Sequence, residues 1–281
     1  MKIALTGASG FVGTALQNHF NDTVYIHRVD DEASILEKLK DVNVVINLAG
    51  APIIKRWSNP YKNILLDSRI DTTKILVKAI NKSNIDHFIS TSAIGIYPDN
   101  QACDERCPET AHDFLGTLAY KWESEALRCE KPTTILRFGV ILGKNGGELR
   151  QMMTPFKLGL GGMIGDGKMI SSWIHLDDLI GIYQHIIKQR LTGIFNATSP
   201  YPVSNYTFTK TLGSVLHRPT ILPIPKFILR IMYGEASSVL TNSKEVYPRN
   251  ILEAGYTFKY EQLYEALEEI VLNHNQPNSN P

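Results

Sequence analysis

The first residues whose spacing suits chemistry are three glycines, Gly7, Gly10 and Gly13, in the run TGASGFVG. They follow a short apolar run, Ile3 to Leu5, and precede apolar residues at helical spacing. Strand, glycine turn and helix in this order predict a dinucleotide site, because the free N–H groups at the helix start hold the diphosphate. Gly7 would allow the tight turn, Gly10 the approach of the diphosphate and Gly13 close helix–strand packing. A plain glycine-rich turn is the alternative interpretation.

A second candidate cofactor residue, Arg28, follows the strand predicted over 23–27. In dinucleotide folds an acidic residue here binds the ribose 2′-hydroxyl of NAD, whereas an arginine accommodates the 2′-phosphate of NADP. Arg28 therefore favours NADP, and Asp30 with Asp31 supports the competing NAD interpretation.

The charge balance excludes some classes of partner. The 281 residues include 29 Lys plus Arg and 28 Asp plus Glu, so no basic field points to nucleic acid or an anionic membrane. No apolar run approaches the roughly 18 residues of a transmembrane helix, and no signal peptide is recognised. These features predict a cytoplasmic protein.

The chain has three cysteines, Cys103, Cys107 and Cys129. This sparse, odd set predicts a reducing compartment and no disulfide framework. The Cys103–Cys107 spacing, with His112 beyond, allows a metal interpretation, but a structural zinc site needs four ligands at tighter spacings. We therefore predict no metal.

The elements that must position these residues alternate along the chain. Further strands are predicted over 43–50, 87–92, 133–142 and 193–198, and helices over 34–39, 62–80, 113–128 and up to 187. This alternation predicts an α/β fold, a Rossmann doubly wound parallel sheet with a smaller C-terminal substrate lobe.

The stretch 143–167 is richer in glycine than the alternating strands and helices before it, and this composition predicts a mobile binding loop. The predicted Rossmann domain covers 1–142 and 171–199, and the discontinuous substrate-binding lobe covers 143–170 and 200–275.

Several blocks together resemble an atypical branch of the extended short-chain dehydrogenase/reductases, the NAD(P)-dependent epimerase/dehydratase-like "epimerase family" proteins. The blocks are TGASGFVG, NLAG, RWSNPYKNILLDSRIDTT, STSAIGIYP, DFLGTLAYKWE, RFGVILGKNGG, GLGGMIGDGK, WIHLDDL and GEASSVL. The resemblance implies NADP as cofactor. Carried over by position, it implies contacts from Gly7, Gly10, Phe11, Val12, Gly13, Arg28, Leu48, Ala49, Gly50 and Arg69. Arg69 stands where extended relatives usually have an asparagine.

The chain departs from these relatives at the catalytic dyad. Active relatives carry Tyr-x-x-x-Lys on the helix after the fourth strand, where the two side chains share a face and the ammonium lowers the pKa of the phenol. Here the admissible registers place the tyrosine at Leu115, Thr117 or Leu118, and none is a tyrosine. A Tyr-x-x-x-Lys at Tyr206–Lys210 lies in the C-terminal lobe, where packing is the preferred interpretation.

Three other residues are candidates for moving a proton: Ser92, Tyr120 and His175. Ser92 best matches the family's Ser/Thr, although the alignment could slip onto Ala93, and a turn-capping serine is its alternative. Tyr120 lies on the dyad helix, where a solvated face is the alternative, and His175 could be a core histidine.

The leading hypothesis is an NADP-binding oxidoreductase- or epimerase-like enzyme whose small-molecule substrate is unassigned. The alternative is a catalytically weak NAD(P)-binding sensor or partner-binding protein, which the missing dyad favours. The oligomeric state stays open.

Overall fold

The computed structural model describes residues 1–144 and 146–274. Its strands are β1 Ile3–Thr6, β2 Thr23–Ile26, β3 Val44–Asn47, β4 His87–Ala93, β5 Ala102–Cys103, β6 Thr133–Phe138, β7 Val140–Leu142, β8 Ile170–Ser171, β9 Trp173–His175, β10 Gly193–Ala197, β11 Val203–Ser204 and β12 Glu245–Val246. Its α-helices are α1 Phe11–His19, α2 Glu32–Lys38, α3 Asn59–Asp67, α4 Ile70–Asn81, α5 Phe114–Ala126, α6 Gly147–Lys157, α7 Leu176–Gln189, α8 Asn205–Leu216, α9 Lys226–Tyr233, α10 Ser238–Thr241, α11 Arg249–Glu253 and α12 Leu263–His274. Short 3-10 helices occupy Ile94–Ile96 and Gly234–Ser237.

Six strands form one parallel sheet in the order β10-β6-β4-β3-β1-β2. Apolar runs such as IALT in β1 and VVIN in β3 are buried throughout, as expected for parallel strands covered on both faces. The sheet with its flanking helices confirms the predicted Rossmann fold.

The alternation of side chains along β1 divides the core between the two faces of the sheet. Ile3 and Leu5 join a cluster that includes residues of α1 and α7. Ala4 joins the opposite cluster, which includes residues of α2 and α4. Each face of the sheet is therefore closed by its own layer of helices.

One predicted helix is two helices. The sequence predicted a continuous helix over 62–80, but α3 ends at Asp67 and α4 begins at Ile70. The Ser68 hydroxyl accepts a hydrogen bond from the backbone N–H of Ala51 at 3.0 Å. Apolar spacing continues through the break, so periodicity alone could not reveal it.

The predicted strand over 133–142 divides at Gly139. A Cβ there would lie 2.6 Å from the carbonyl oxygen of Ser172, so only glycine fits this approach. β6 stays in the main sheet, whereas β7 pairs with β9 outside it.

The predicted mobile loop over 143–167 is wrong for its middle part, because α6 occupies Gly147–Lys157. Leu149, Met153 and Phe156 of α6 are buried against α8 and α12 in one apolar cluster. The helical spacing of these three apolar residues favours a helix here despite the surrounding glycines.

The structure joins Cys103 and Cys107 in a disulfide, with Cα atoms 5.4 Å apart, where the sequence predicted none. A turn at Asp104 closes this short loop, since the Cys107 N–H donates to the Asp104 carbonyl at 3.1 Å. No helix in the described ranges is long and apolar enough to cross a bilayer.

Candidate cofactor site and the polar network beside it

The glycine turn has the geometry that its sequence predicts. Gly7 has a φ of +65°, in the left-handed region that favours glycine. A Cβ on Gly13 would lie 2.3 Å from the Gly7 carbonyl oxygen, so α1 could not pack here with a larger residue. Gly10 is exposed, and an added Cβ would project into open space beyond its 3.2 Å contact with the Gly7 oxygen.

The N-terminus of α1 is available to an anion. Its N-cap, Gly10, provides no side-chain hydrogen bond, and the first turn contains no acidic residue. Unpaired N–H groups and the positive end of the helix dipole therefore face the exposed turn. A dinucleotide diphosphate fits this cradle.

The backbone at Leu48 and Ala49 is fixed against the turn by Thr6. The Thr6 hydroxyl donates to Asn47 Oδ1 at 2.7 Å and accepts from the Leu48 and Ala49 N–H groups at 3.0 and 3.1 Å. A Cβ on Gly7 would lie 2.8 Å from the Leu48 carbonyl oxygen. These predicted contact residues therefore line the same edge of the sheet as the turn.

At the end of β2, Arg28 is exposed and the two neighbouring aspartates are occupied. Asp30 accepts from the His27 N–H at 2.7 Å and pairs with Lys38. Asp31 caps α2 by accepting from the Ser34 N–H at 2.9 Å. These contacts leave Arg28 as the residue suited to a 2′-phosphate, since no ion pair holds it in the described part of the chain.

Phe11 connects the turn to the second glycine-rich segment. A Cβ on Gly143, Gly146 or Gly147 would lie 2.7, 2.4 or 3.2 Å from the Phe11 ring. Val12 instead belongs to the core cluster, so only its backbone could contact a cofactor. Gly143, Gly146 and Gly147 therefore pack on the start of α1.

Arg69 lies at the N-terminal end of α4, beyond Gly50. Its guanidinium donates to the Ala51 carbonyl at 3.1 Å and to the Leu65 carbonyl at 3.4 Å. The guanidinium carbon lies 5.3 Å from the Trp122 ring of α5. Burial lowers the pKa of Arg69 to about 10.

Ser92 belongs to a buried polar network that the sequence did not predict. Its hydroxyl donates to Glu123 Oε1 at 2.6 Å, and its exposed fraction is 1%. Arg137 holds both oxygens of Glu123, at 2.8 and 2.7 Å, and donates to the Tyr97 hydroxyl at 2.7 Å. That hydroxyl in turn donates to Asn196 Oδ1 at 2.9 Å.

Within this network the charge of Arg137 is balanced by the charge of Glu123. Burial alone would lower the pKa of Arg137, but the hydrogen bonds and charge of Glu123 outweigh it and raise that pKa. Burial raises the pKa of the Tyr97 phenol, despite the neighbouring Arg137. Ser92 is therefore hydrogen-bonded to a carboxylate that is already paired. The sequence feature that could have revealed this network is Arg137, because an arginine within a buried apolar strand needs a partner.

The other two predicted proton-transfer residues occupy different surroundings. Tyr120 is 59% exposed, on the outer face of α5. His175 is 3% exposed: its Nδ1 accepts from the Asp177 N–H at 3.1 Å, and its Nε2 lies 3.0 Å from Glu269 Oε2. The geometry thus gives His175 a capping role at the start of α7, and within residues 1–144 and 146–274 no side chain is hydrogen-bonded to the Tyr120 hydroxyl.

The face of α5 that would carry the dyad is apolar. Leu118 packs with Trp57, Tyr61 and Leu65, and Leu115 lies against the same cluster. At the other Tyr-x-x-x-Lys, the Lys210 ammonium donates to the Thr220 carbonyl at 2.9 Å. No group of three or more His, Cys, Asp or Glu side chains in residues 1–144 and 146–274 is placed to hold a metal.

Residues 3–198 match the sequence profile described as the NAD dependent epimerase/dehydratase family. The chain belongs to this family. Residues 224–270 match a second profile, a domain of unknown function. The family assignment confirms the predicted class of cofactor, a nicotinamide dinucleotide.

Individual relatives agree over nearly the whole chain. The mouse epimerase family protein SDR39U1 is 32% identical, covering 96% of this chain and 100% of the relative. A Staphylococcus epidermidis epimerase family protein is 33% identical, covering 96% and 99%. The crystal structure of human SDR39U1 isoform 2 with NADPH has a TM-score of 0.92 and 31% identity, covering 97% of this chain and 100% of that one.

More distant solved structures share the architecture. The Bacillus cereus UDP-glucuronic acid 4-epimerase, solved with UDP-glucuronic acid and NAD, has a TM-score of 0.79 at 17% identity. This likeness shows the fold alone. The family is therefore established, and the substrate is a separate question.

Proposed function

We propose that the protein is an NADP-dependent oxidoreductase- or epimerase-like enzyme of the extended short-chain type that works without a Tyr-x-x-x-Lys dyad. One observation carries the proposal: the uncapped N-terminus of α1 lies behind the open turn at Gly10. The choice of NADP over NAD is supported by Arg28, beside two aspartates that are already occupied. It is also supported by NADPH in the human SDR39U1 structure.

In this proposal different residues of the chain bind different parts of the dinucleotide. Gly7, Gly10 and the first turn of α1 hold the diphosphate, Arg28 holds the 2′-phosphate, and Phe11 closes the site against Gly143, Gly146 and Gly147. The bound nicotinamide supplies hydride transfer to or from a carbonyl or alcohol carbon. The protein orients the reactants and excludes water.

A second function is favoured by the polar network. The Ser92 hydroxyl points toward Glu123, a carboxylate that is already paired with Arg137. α5 presents Leu115 and Leu118 where active relatives need a tyrosine. A protein that binds NADPH and reports its level to a partner would need no proton donor. This sensor is the alternative proposal.

Titration of the folded protein with NADPH and NADH, followed by nicotinamide fluorescence, tests the cofactor proposal. Gly10→Val should abolish NADPH binding, because its side chain fills the diphosphate position. Arg28→Ala should weaken NADPH binding and leave NADH binding unchanged. Equal affinity of the wild type for the two cofactors would contradict the NADP assignment.

Turnover separates the two functions. Oxidation of bound NADPH by any member of a panel of aldehydes and ketones supports the enzyme. Tight NADPH binding without oxidation, together with a co-purifying protein released by NADP, supports the sensor.

The same proposal assigns a binding role to each part of the chain. Residues 1–142 and 171–199 would bind the cofactor, and 143–170 with 200–275 would enclose a small-molecule substrate, with no role for nucleic acid or a membrane. The buried cluster shared by α6, α8 and α12 supports a second lobe, which packs on Leu142 and Trp173 of the cofactor-binding part. The cytoplasmic location is likewise a proposal, tested by cell fractionation.

A further inference from the structure

Helix α9 of the C-terminal lobe presents large apolar side chains to the solvent. Its exposed apolar residues, called the α9 surface below, are Phe227, Ile228, Ile231 and Met232. At about 100° per residue they share one face of the helix, whereas Leu229 on the opposite side is buried. Soluble monomeric proteins seldom expose apolar side chains in such a cluster, and a cluster of this kind marks a binding surface.

The segment before α9 is held against the second glycine-rich stretch. Gly162 packs so closely on the Leu222 carbonyl oxygen that no side chain could be added to it. The Ile224 N–H donates to the Met163 carbonyl at 2.7 Å, and the Ile224 carbonyl accepts from the Gly165 N–H at 2.9 Å. These contacts fix the start of α9, where two further apolar residues are exposed: Ile221 and Leu222.

The other end of α9 is attached to the loop that follows β3. The Arg56 guanidinium donates to the Ile231 carbonyl at 3.1 Å. Tyr233, the last residue of α9, packs against an apolar cluster that contains the buried Trp57 and Ala236. The exposed surface of α9 therefore continues into a buried apolar cluster.

The same cluster borders the carboxyl edge of the sheet, beside the glycine turn. Ala51, which follows the predicted cofactor residue Gly50, packs against it. Leu118 of α5 belongs to it, and Leu115 packs against it. A Cβ on Gly95, just after β4, would lie 3.5 Å from the Leu115 Cβ. Apolar side chains therefore extend from the proposed cofactor edge to the α9 surface.

The α9 surface has a basic border. Lys226 and Arg230 lie on α9, which contains no acidic residue, and Arg56 lies beside its last turn. All three are exposed, and within residues 1–144 and 146–274 no carboxylate pairs with them. The neighbouring Glu235 is paired with Lys62. Because the net charge of the chain is only +1, this border is a local excess of positive charge that complements an anionic group.

We propose that the α9 surface binds the aliphatic chain of an amphiphilic substrate, a long-chain carbonyl compound or alcohol with an acidic group. The chain follows the apolar side chains toward the cofactor edge, and the acidic group lies among the basic side chains of the border. A nucleotide sugar is disfavoured, because its hydroxyl groups would lose their hydrogen bonds to water against apolar residues. This inference rests on the proposed function for the reaction, and on the α9 surface alone for binding.

The test uses a double variant, Phe227→Gln with Ile231→Gln, and a control, Leu272→Gln. Glutamine is a good helix former, and all three replaced side chains are more than half exposed, at 63%, 67% and 61%. Leu272 lies on α12, whose buried residues belong to a different apolar cluster. Circular dichroism and thermal unfolding establish that each variant folds, and the single variant Ile231→Gln replaces the double variant if that does not.

The first arm titrates the cofactor-free protein with decanoate, octanoate and butanoate by calorimetry, below the concentrations at which they form micelles. Wild type should bind decanoate saturably and octanoate more weakly, since each buried methylene raises affinity by up to about fourfold. The double variant should raise the decanoate Kd tenfold or more, and Leu272→Gln should leave it unchanged. Lys226→Gln with Arg230→Gln should weaken decanoate binding and spare the uncharged decanol.

The second arm measures NADPH oxidation by decanal and by butanal. Decanal should have the lower KM, and the double variant should raise that KM with little change in kcat. Failure of wild type to bind NADPH would overturn the proposed function alone, because the first arm uses no cofactor.

Two further measurements examine other occupants of the α9 surface. Light scattering reports the oligomeric state, and sedimentation reports binding to phosphatidylglycerol vesicles. A wild-type dimer that the double variant dissociates would assign the surface to a second copy, and vesicle binding without decanoate binding would assign it to a bilayer. Either result would overturn the inference, as would equal decanoate affinity of wild type and the double variant.

Discussion

At the scale of single residues, one buried polar network joins β4, α5 and β6. Ser92, Glu123, Arg137 and Tyr97 form one chain of hydrogen bonds, each between 2.6 and 2.8 Å. Such a network stabilises only while every member is present, because each missing partner leaves a buried polar group unsatisfied. Its stability can therefore be measured by removing one member.

Glu123→Leu should lower the free energy of unfolding by about 3–5 kcal/mol, because it leaves the Arg137 charge buried without a partner. Glu123→Gln keeps one acceptor oxygen and should lose less. Urea unfolding measures both variants. The matched control on the same helix is Glu125→Gln, which breaks the pair with the exposed Arg128 and should cost at most about 1 kcal/mol. A Glu123→Leu variant as stable as this control would contradict the assignment of Glu123 as the partner that stabilises the buried Arg137.

Glu148, at the start of α6, gives the stability a pH dependence. Burial raises the pKa of its carboxyl from the ordinary 4.5 to about 7. Between these values the folded state keeps a proton that the unfolded chain releases, so the free energy of unfolding falls as pH rises through this window.

Glu148→Gln should remove this contribution. Urea unfolding at pH 5 and pH 8 should show the variant gaining stability relative to wild type at the higher pH. A difference between the two proteins that is equal at both pH values would refute the assignment.

At the scale of elements, the structure depends on how helices begin. α1 begins without a side-chain cap, and this leaves its N–H groups to a ligand. α7 begins on His175, whose ring nitrogen accepts from the Asp177 N–H and whose face packs on Tyr260, with ring centroids 4.1 Å apart. The first helix start is suited to binding and the second to stability.

His175→Ala should therefore destabilise the protein, by about 1 kcal/mol for the lost cap and more for the cavity. NADPH affinity should be unchanged. His175→Asn restores a side-chain acceptor and should recover part of the loss. Thermal unfolding and NADPH titration measure these effects, and a fully stable His175→Ala variant that loses turnover would restore His175 as a catalytic candidate.

The sequence predicted the elements whose signals are local. The glycine turn, its flanking strand and helix, and Arg28 can be recognised within a short stretch, and in the structure β1 and β2 end side by side, with Thr6 opposite Ile26. The break at Ser68, the crossing at Gly139 and the partner of Arg137 depend on residues far away in sequence: Ala51, Ser172 and Glu123. The candidate residue Ser92 was recognised by type, but its hydrogen bond to Glu123 of α5 could be seen only in the folded chain.

At the scale of the whole molecule, an epimerase-type fold is combined with an apolar face on α5. The family assignment alone would suggest epimerisation of a nucleotide sugar, whereas Leu118 of α5 belongs to an apolar cluster and Leu115 packs against it. The fold alone therefore does not assign the chemistry.

Epimerisation of UDP-galactose should be slow or undetectable at high enzyme concentration, since positioned acid–base catalysis contributes roughly 10²–10⁴-fold. Tyr120→Phe and Tyr206→Phe should leave any residual rate unchanged, because both side chains are about half exposed, at 59% and 51%. Robust wild-type turnover that Tyr120→Phe abolishes would show that Tyr120 is the base.

The core that buries β1 also constrains how the chain is made. Ile3 and Leu5 share their apolar cluster with Tyr183, Ile251 and Phe258. During synthesis, the first strand leaves the ribosome long before the residues that cover it exist. Contacts so distant in sequence close slowly, and exposed strands attract other chains in the meantime. We therefore expect the nascent protein to depend on chaperones until its last helices are translated, and a chain truncated before Phe258 to aggregate.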